Sequence, residues 1–99
     1  MRIIGSMENP EDFISKDVCV VNELGIHARS AVKIAEIAQH AKHQVNIARD
    51  GDQVDAKSII DILTLGCAKG TTVTVMVAHR ADLTILERFV ALIEDGFGE

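Results

Sequence analysis

One histidine in this chain stands where it can carry an anion. His27 lies in the run Leu24-Gly25-Ile26-His27-Ala28-Arg29-Ser30, with an arginine two positions on. Apolar periodicity begins at Ala28 and continues through Ala31, Val32, Ala35 and Ala38, which predicts a helix opening immediately after His27. His27 then sits near the N-cap, and the first helical amides, those of Ala28, Arg29 and Ser30, have no intrahelical acceptor. The helix macrodipole adds roughly half a positive charge at the same spot. An imidazole is nucleophilic near neutral pH, so a phosphoryl group transferred onto it would be held by these amides and by the Arg29 guanidinium. Gly25 lets the incoming backbone turn tightly.

Other reactive side chains are less well arranged. His40 and His43 read as neighbours one helical turn apart, but no carboxylate or cysteine completes a ligand set, so they are expected on a solvated face and no metal is implied. Cys19 and Cys67 show neither a CxxC pair nor ligand spacing; they are expected as free thiols, small buried hydrophobes in a strand and a helix. Paired carboxylates, a Ser/His/Asp set and a Gly-rich nucleotide loop are missing, so no cofactor is implied and a hydrolytic or metal enzyme built on His27 lacks a partner residue.

Charge narrows the partners. The net charge of −5, with three Phe and neither Trp nor Tyr, argues against nucleic acid, since it supplies neither a basic footprint nor a stacking platform. Residues 27–49 nevertheless hold Arg29, Lys33, Lys42 and Arg49 against Glu36, a net +3 that leaves −8 on the rest. A basic helix on an acidic protein suits docking to an acidic surface near the site, the alternative being an ordinary solvated helix face. No signal peptide and no run of 18 apolar residues is present, so a cytoplasmic chain without membrane insertion is expected.

The elements that must position His27 follow from the patterning. Ninety-nine residues with 47% apolar content make one small domain, near the lower limit for a single core. Residues 1–15 are rich in Glu, Asp and Asn with Pro10 and are expected as a flexible lead, in which Gly5-Ser6-Met7 is compatible with a cloning junction; residues 16–99 are expected to form the domain. Val18-Cys19-Val20-Val21 suits a first strand. The helix after His27 keeps a polar stripe at Arg29, Lys33, Glu36, His40 and His43, its other faces being aliphatic. Val45 and Ile47 alternate with polar neighbours, and Asp50-Gly51 predicts a hairpin turn toward Val54. Asp55 or Ala56 opens a short second helix through Leu65, ended by Gly66 or by Lys69-Gly70. Residues 71–77 alternate, turning Val73, Val75 and Val77 inward, and Leu83, Leu86, Val90 and Ile93 mark a third helix with Asp82 as its N-cap. The order βαββαβα predicts an α+β fold, one four-stranded antiparallel sheet with three helices on one face.

Gly25-Ile26-His27-Ala28-Arg29-Ser30-Ala31 resembles the active-site signature of the HPr family, histidine-containing phosphocarriers of the phosphoenolpyruvate-dependent phosphotransferase system, written G-[LI]-H-[AT]-R-P-A. Six of seven positions fit, and Ser30 replaces the proline. A second stretch, Asp55 to Gly66 followed by Lys69-Gly70-Thr71, is similar to a further signature of the family, and the likeness extends over residues 17–95. The resemblance implies the HPr-like open-faced β-sandwich and a bacterial phosphocarrier in which His27 takes a phosphoryl group on Nδ1 from phospho-enzyme I. It passes the group to an enzyme II A-type domain in sugar uptake, as a stoichiometric carrier rather than a true catalyst. Arg29 would neutralise charge, the amides of Ala28, Arg29 and Ser30 would hold the phosphate, and Ser58 would be the target of a regulatory HPr kinase/phosphorylase. Ile59, Ile60, Leu63 and Lys33 would form the docking surface of a monomer. A regulatory protein of the same fold, in a nitrogen-type branch or binding a signalling partner, is the alternative. Ser30 is expected to leave His27 competent but its cap looser.

Overall fold

In the computed structural model, which describes residues 2–4 and 13–99, eight strands and α-helices follow one another: β1 (Arg2–Ile4), β2 (Phe13–Cys19), α1 (Ala28–Ala38), β3 (Val45–Arg49), β4 (Asp52–Asp55), α2 (Ile59–Thr64), β5 (Thr72–Val77) and α3 (Leu83–Glu94), with single 3-10 turns at Arg80–Asp82 and Gly96–Gly98. From β2 onward this is the βαββαβα order predicted by the patterning. The sheet has five strands in the order β1-β2-β5-β3-β4, every neighbouring pair antiparallel. The expected four strands are therefore joined by a short edge strand. Residues 2–4 of the expected lead pair with β2, and β2 itself begins at Phe13, earlier than the strand read at residues 18–21. The Gly5-Ser6-Met7 reading lies outside the described residues.

Alternation builds the core. Ile14 and Val18 of β2, Val73, Val75 and Val77 of β5, and Val45 and Ile47 of β3 are buried in one cluster with the inner faces of all three helices. Helix α1 contributes Ala31, Ile34 and Ala38, and α3 contributes Leu86, Phe89, Val90 and Ile93. The opposite face is mixed, with buried Met76 beside Ser15 and Asn46, and there the Thr74 hydroxyl donates to Asp17 Oδ1 at 2.7 Å. The β3–β4 turn has left-handed backbone at both central residues, Asp50 (φ 49°) and Gly51 (φ 87°), as a tight two-residue hairpin demands.

Several helix boundaries differ from the sequence reading. Helix α1 stops at Ala38, so His40 and His43 are not on it; His43 instead stacks on His79, ring centroids 4.4 Å apart. Helix α2 opens at Ile59 rather than near Asp55, because Asp55 ends β4 and its carboxylate accepts the Lys57 N–H, closing a local turn first. Asp82 holds the N-cap position of α3 without capping it: its buried carboxylate accepts the amides of Lys42 and His43, both at 2.9 Å, tying the α1–β3 loop to the start of α3. Cys19 is exposed on β2, and Cys67 is buried in the loop after α2 rather than in the helix. Burial pushes the Cys67 thiol above its ordinary pKa, the nearby Arg49 charge opposing the shift.

Candidate functional site

His27 is the N-cap of α1, in extended backbone (φ −119°, ψ −175°). Three features of the local sequence put it there. Gly25 adopts φ +66°, and a Cβ at that position would lie 2.4 Å from the Cys67 carbonyl oxygen and 2.8 Å from Ala68 Cα. Only glycine permits both the turn and the close approach. The approach is used: Ile26 N–H donates to Cys67 O at 2.8 Å, while Val20 exchanges backbone hydrogen bonds with Thr71 and Gly70. Residues 66–71 thus brace the loop that presents His27, and Lys69 pairs across it with Glu23, whose carboxyl is held below its ordinary range by that contact.

Ser30 supplies the third feature. It is fully buried, and its hydroxyl accepts the His27 N–H at 2.8 Å and faces the carbonyls of His27 (3.1 Å) and Gly25 (3.5 Å). This is one half of a capping box, with a serine in place of the usual Glu or Gln. The expectation of a looser cap is therefore corrected: the serine hydroxyl makes bonds that a proline ring cannot.

Around the imidazole the partners are unambiguous. Arg29 N–H points at His27 Nδ1 (3.3 Å), and a backbone amide only donates, so Nδ1 bears a lone pair. The carboxylate of Glu99 lies 2.5 Å from Nε2 and only accepts, so the ring proton is on Nε2. Ala31 N–H bonds to His27 O at 2.8 Å and the Ser30 N–H is directed at the His27 side chain in a reciprocal capping box, whereas the N–H of Ala28 has no hydrogen-bond acceptor among the described residues. The exposed Arg29 guanidinium likewise has no partner among them. Nucleophilic lone pair, the open Ala28 amide and the Arg29 cation share one helix mouth.

Glu99 is the residue that sequence reasoning missed. It reaches His27 because three successive residues after α3 take left-handed backbone, Gly96 (φ 63°), Phe97 (φ 61°) and Gly98 (φ 77°), folding the chain back onto α1. Phe97 is buried, and Lys33 Nζ donates to its carbonyl at 2.5 Å, so Lys33 clamps this segment rather than standing free for docking. Asn22 Nδ2 donates both to Gly25 O (2.8 Å) and to Glu99 Oε1 (3.0 Å). The bond from Asn22, then that from His27, hold the Glu99 carboxyl below its ordinary pKa against partial desolvation. The Gly-Phe-Gly run after an apolar helix was the available signal for such a turn.

Helix α2 flanks this site with apolar surface. Ser58 is its N-cap, the hydroxyl accepting Asp61 N–H at 3.3 Å. Ile60 is 74% exposed, and Ile59 and Leu63 are also exposed, while Ile62 alone of the helix is buried. Arg49 donates to the carbonyls of Leu65 (2.7 Å) and Gly66 (3.1 Å), fixing the far end of α2. The described residues contain no group of three or more metal-ligating side chains and no helix long and apolar enough to cross a membrane.

Comparison with known proteins agrees with this geometry. Residues 14–95 match the family described as PTS HPr component phosphorylation site. The chain is 36% identical over 86 residues to phosphocarrier protein HPr of Cupriavidus necator, covering 87% of this chain and 97% of that one. It is 33% identical over 87 residues to phosphocarrier protein NPr of Escherichia coli K12, again covering 87% and 97%. Among solved structures, HPr from Thermoanaerobacter tengcongensis superposes with a TM-score of 0.79 at 32% identity, covering 87% of this chain and 97% of that one. The chain belongs to the HPr family of phosphocarrier proteins.

Proposed function

We propose that His27 is the phosphoryl acceptor, taking the group on Nδ1 from phospho-enzyme I and passing it to a histidine of an enzyme II A-type domain. The observation that carries the reading is the ring's hydrogen bonding: the lone pair is on Nδ1, and Nδ1 faces the open end of α1. On attack, Nδ1 gives its lone pair to phosphorus while the bond from phosphorus to enzyme I breaks and its electron pair returns to that donor, and the Arg29 amide that had bonded to Nδ1 is released toward a phosphoryl oxygen. The amides of Ala28 and Ser30 and the Arg29 side chain supply the remaining positive field. Docking uses the exposed Ile59, Ile60 and Leu63, with Arg29 as the nearby charge. Charging by enzyme I and phosphoenolpyruvate, followed by addition of an A-type domain, tests the reading: label should move onto this protein and then off it. Retention of label on enzyme I contradicts it.

A second reading, a nitrogen-type or signalling branch rather than sugar uptake, is favoured by the 33% identity to a relative named NPr. Parallel charging by a sugar-type and a nitrogen-type enzyme I separates the two. Ser58 is proposed as a regulatory phosphorylation site because its hydroxyl stands at the entry to the apolar docking helix.

A further inference from the structure

Arg49 ends β3 and reaches a segment 16 positions further along the chain. Its Nη1 donates to the carbonyls of Leu65 (2.7 Å) and Gly66 (3.1 Å), the residues that close α2. Pairing of Arg49 with Asp52 fixes the origin of the side chain on the sheet, and Nε lies 3.5 Å from the Asp50 carboxylate in the adjoining hairpin turn. The guanidinium is therefore a strut from the sheet to the far end of α2. That helix needs one. Of its six residues only Ile62 is buried, with the buried Leu65 following as C-cap, while Ile59, Ile60 and Leu63 are exposed. A helix this short is not held together by its own hydrogen bonds. Its entry is fixed by the Asp55–Lys57 turn and the Ser58 cap. Its exit has the Arg49 bonds, and a cation at a helix C-terminus also complements the dipole.

Beyond Gly66 the same stretch braces the loop that presents His27. Cys67 O accepts the Ile26 N–H, Thr71 O accepts the Val20 N–H, and Val20 O accepts the Gly70 N–H. Those bonds hold the acceptor loop without Arg49, so the guanidinium acts on α2 and leaves His27 in place. With α2 as the docking surface, a reading on which this inference rests, we propose that Arg49 is a positioning residue that orients α2 and so sets the affinity for the phosphoryl donor. A partner that meets an unfixed helix must order it on binding, and that cost falls on affinity rather than on turnover. The bonds are charge-assisted, but the Arg49 side chain is 36% exposed, so water offsets part of their strength.

The test is Arg49→Met, which keeps an apolar stem and removes the donors. With this protein as the varied substrate of enzyme I, KM should rise roughly three- to tenfold, the equivalent of one net hydrogen bond, with kcat within about twofold of wild type. Amide exchange of residues 62–66 should quicken by a similar factor while the strand amides keep their wild-type rates. Arg49→Lys retains a cationic donor and should recover part of the affinity. The KM ratio should persist in high salt, which screens a surface charge but leaves a displaced helix displaced. A merely structural role would lower the urea midpoint and leave KM unmoved, and an unchanged KM overturns the proposal. A raised KM with wild-type exchange rates, or one abolished by salt, also overturns it, because either marks electrostatic steering. Should Arg49→Met not fold, Arg49→Gln, too short to reach either carbonyl, gives the same comparison. If enzyme I does not charge the wild-type protein, the proposed function fails, and amide exchange in wild type and variant then decides the hold of Arg49 on α2 by itself.

Discussion

At the scale of single residues, Ser30 is where this chain departs from the family signature, and its hydroxyl replaces the rigidity of a proline with hydrogen bonds. Ser30→Ala should cost about 1 kcal/mol, the usual loss when a cap bond is removed. Ser30→Pro gains roughly 0.4–1 kcal/mol by restricting the unfolded chain and loses a similar amount with the hydroxyl, so its urea midpoint should stay close to wild type. A proline variant clearly more stable than wild type would mean the Ser30 bonds contribute nothing. Glu99 yields a second prediction. Its folded pKa is depressed, so its contact with Asn22 and His27 contributes above the ordinary carboxylate range and is lost as pH falls through the lowered folded value. Carboxyl carbon shifts of Glu99, followed by NMR from about pH 6 to pH 2, should titrate below the unperturbed value of about 4.3. Titration at that unperturbed value contradicts the contact. His27 was legible in the sequence because a glycine, a cap and the onset of helical periodicity all lie within seven residues. Glu99 was not, because it is 72 positions away and no local pattern couples the two.

Elements come next, and here α2 matters most. A helix of six residues with one buried side chain contributes little to the core, so its exposed isoleucines and leucine are free to serve recognition. Ile60→Asp should leave thermal unfolding within about 0.5 kcal/mol of wild type, as a surface change does, while sharply raising the KM for charging by enzyme I. Ser58→Asp retains an N-cap acceptor and should also fold normally, yet slow charging relative to Ser58→Ala. Equal charging rates for the two Ser58 variants would remove the case for regulation at that position. Strands β3 and β5 and the body of the third helix followed their alternation and periodicity, whereas β2 runs Phe13–Cys19, five residues ahead of the start read at Val18. The starts of α1 and α2 show the limit of such reading: His27 and Asp55 both precede a helical pattern, but Asp55 satisfies the Lys57 amide first and delays helix entry to Ser58. Likewise the polar stripe that runs on to His40 and His43 continues past the real end of α1, because polarity alone does not hold a helix together once its apolar face is exhausted at Ala38.

For the molecule as a whole, one core serves both fold and site. Val73, Val75 and Val77 anchor the sheet against α1 and α3, the loop 66–71 braces the His27 loop, and Phe97 seals the turn that returns the chain to α1. Phe97 keeps a left-handed backbone that a non-glycine residue resists, and its burial pays the cost. Phe97→Ala should destabilise by about 3 kcal/mol in urea unfolding, since it empties a fully buried aromatic site, and should free Glu99 from His27. A loss below about 1 kcal/mol would show that the segment is not part of the core. The edge strand β1 and the closing turn had no periodic signal long enough to read, whereas the four strands and three helices that hold the core did.

The central claim is that His27 carries the phosphoryl group as a phosphoramidate. Incubation with enzyme I and labelled phosphoenolpyruvate should add one phosphate, stable in alkali and lost in acid, and the label should map to His27. His27→Ala should take none. Label that persists in His27→Ala, or that survives acid as a phosphoester does, would contradict the account.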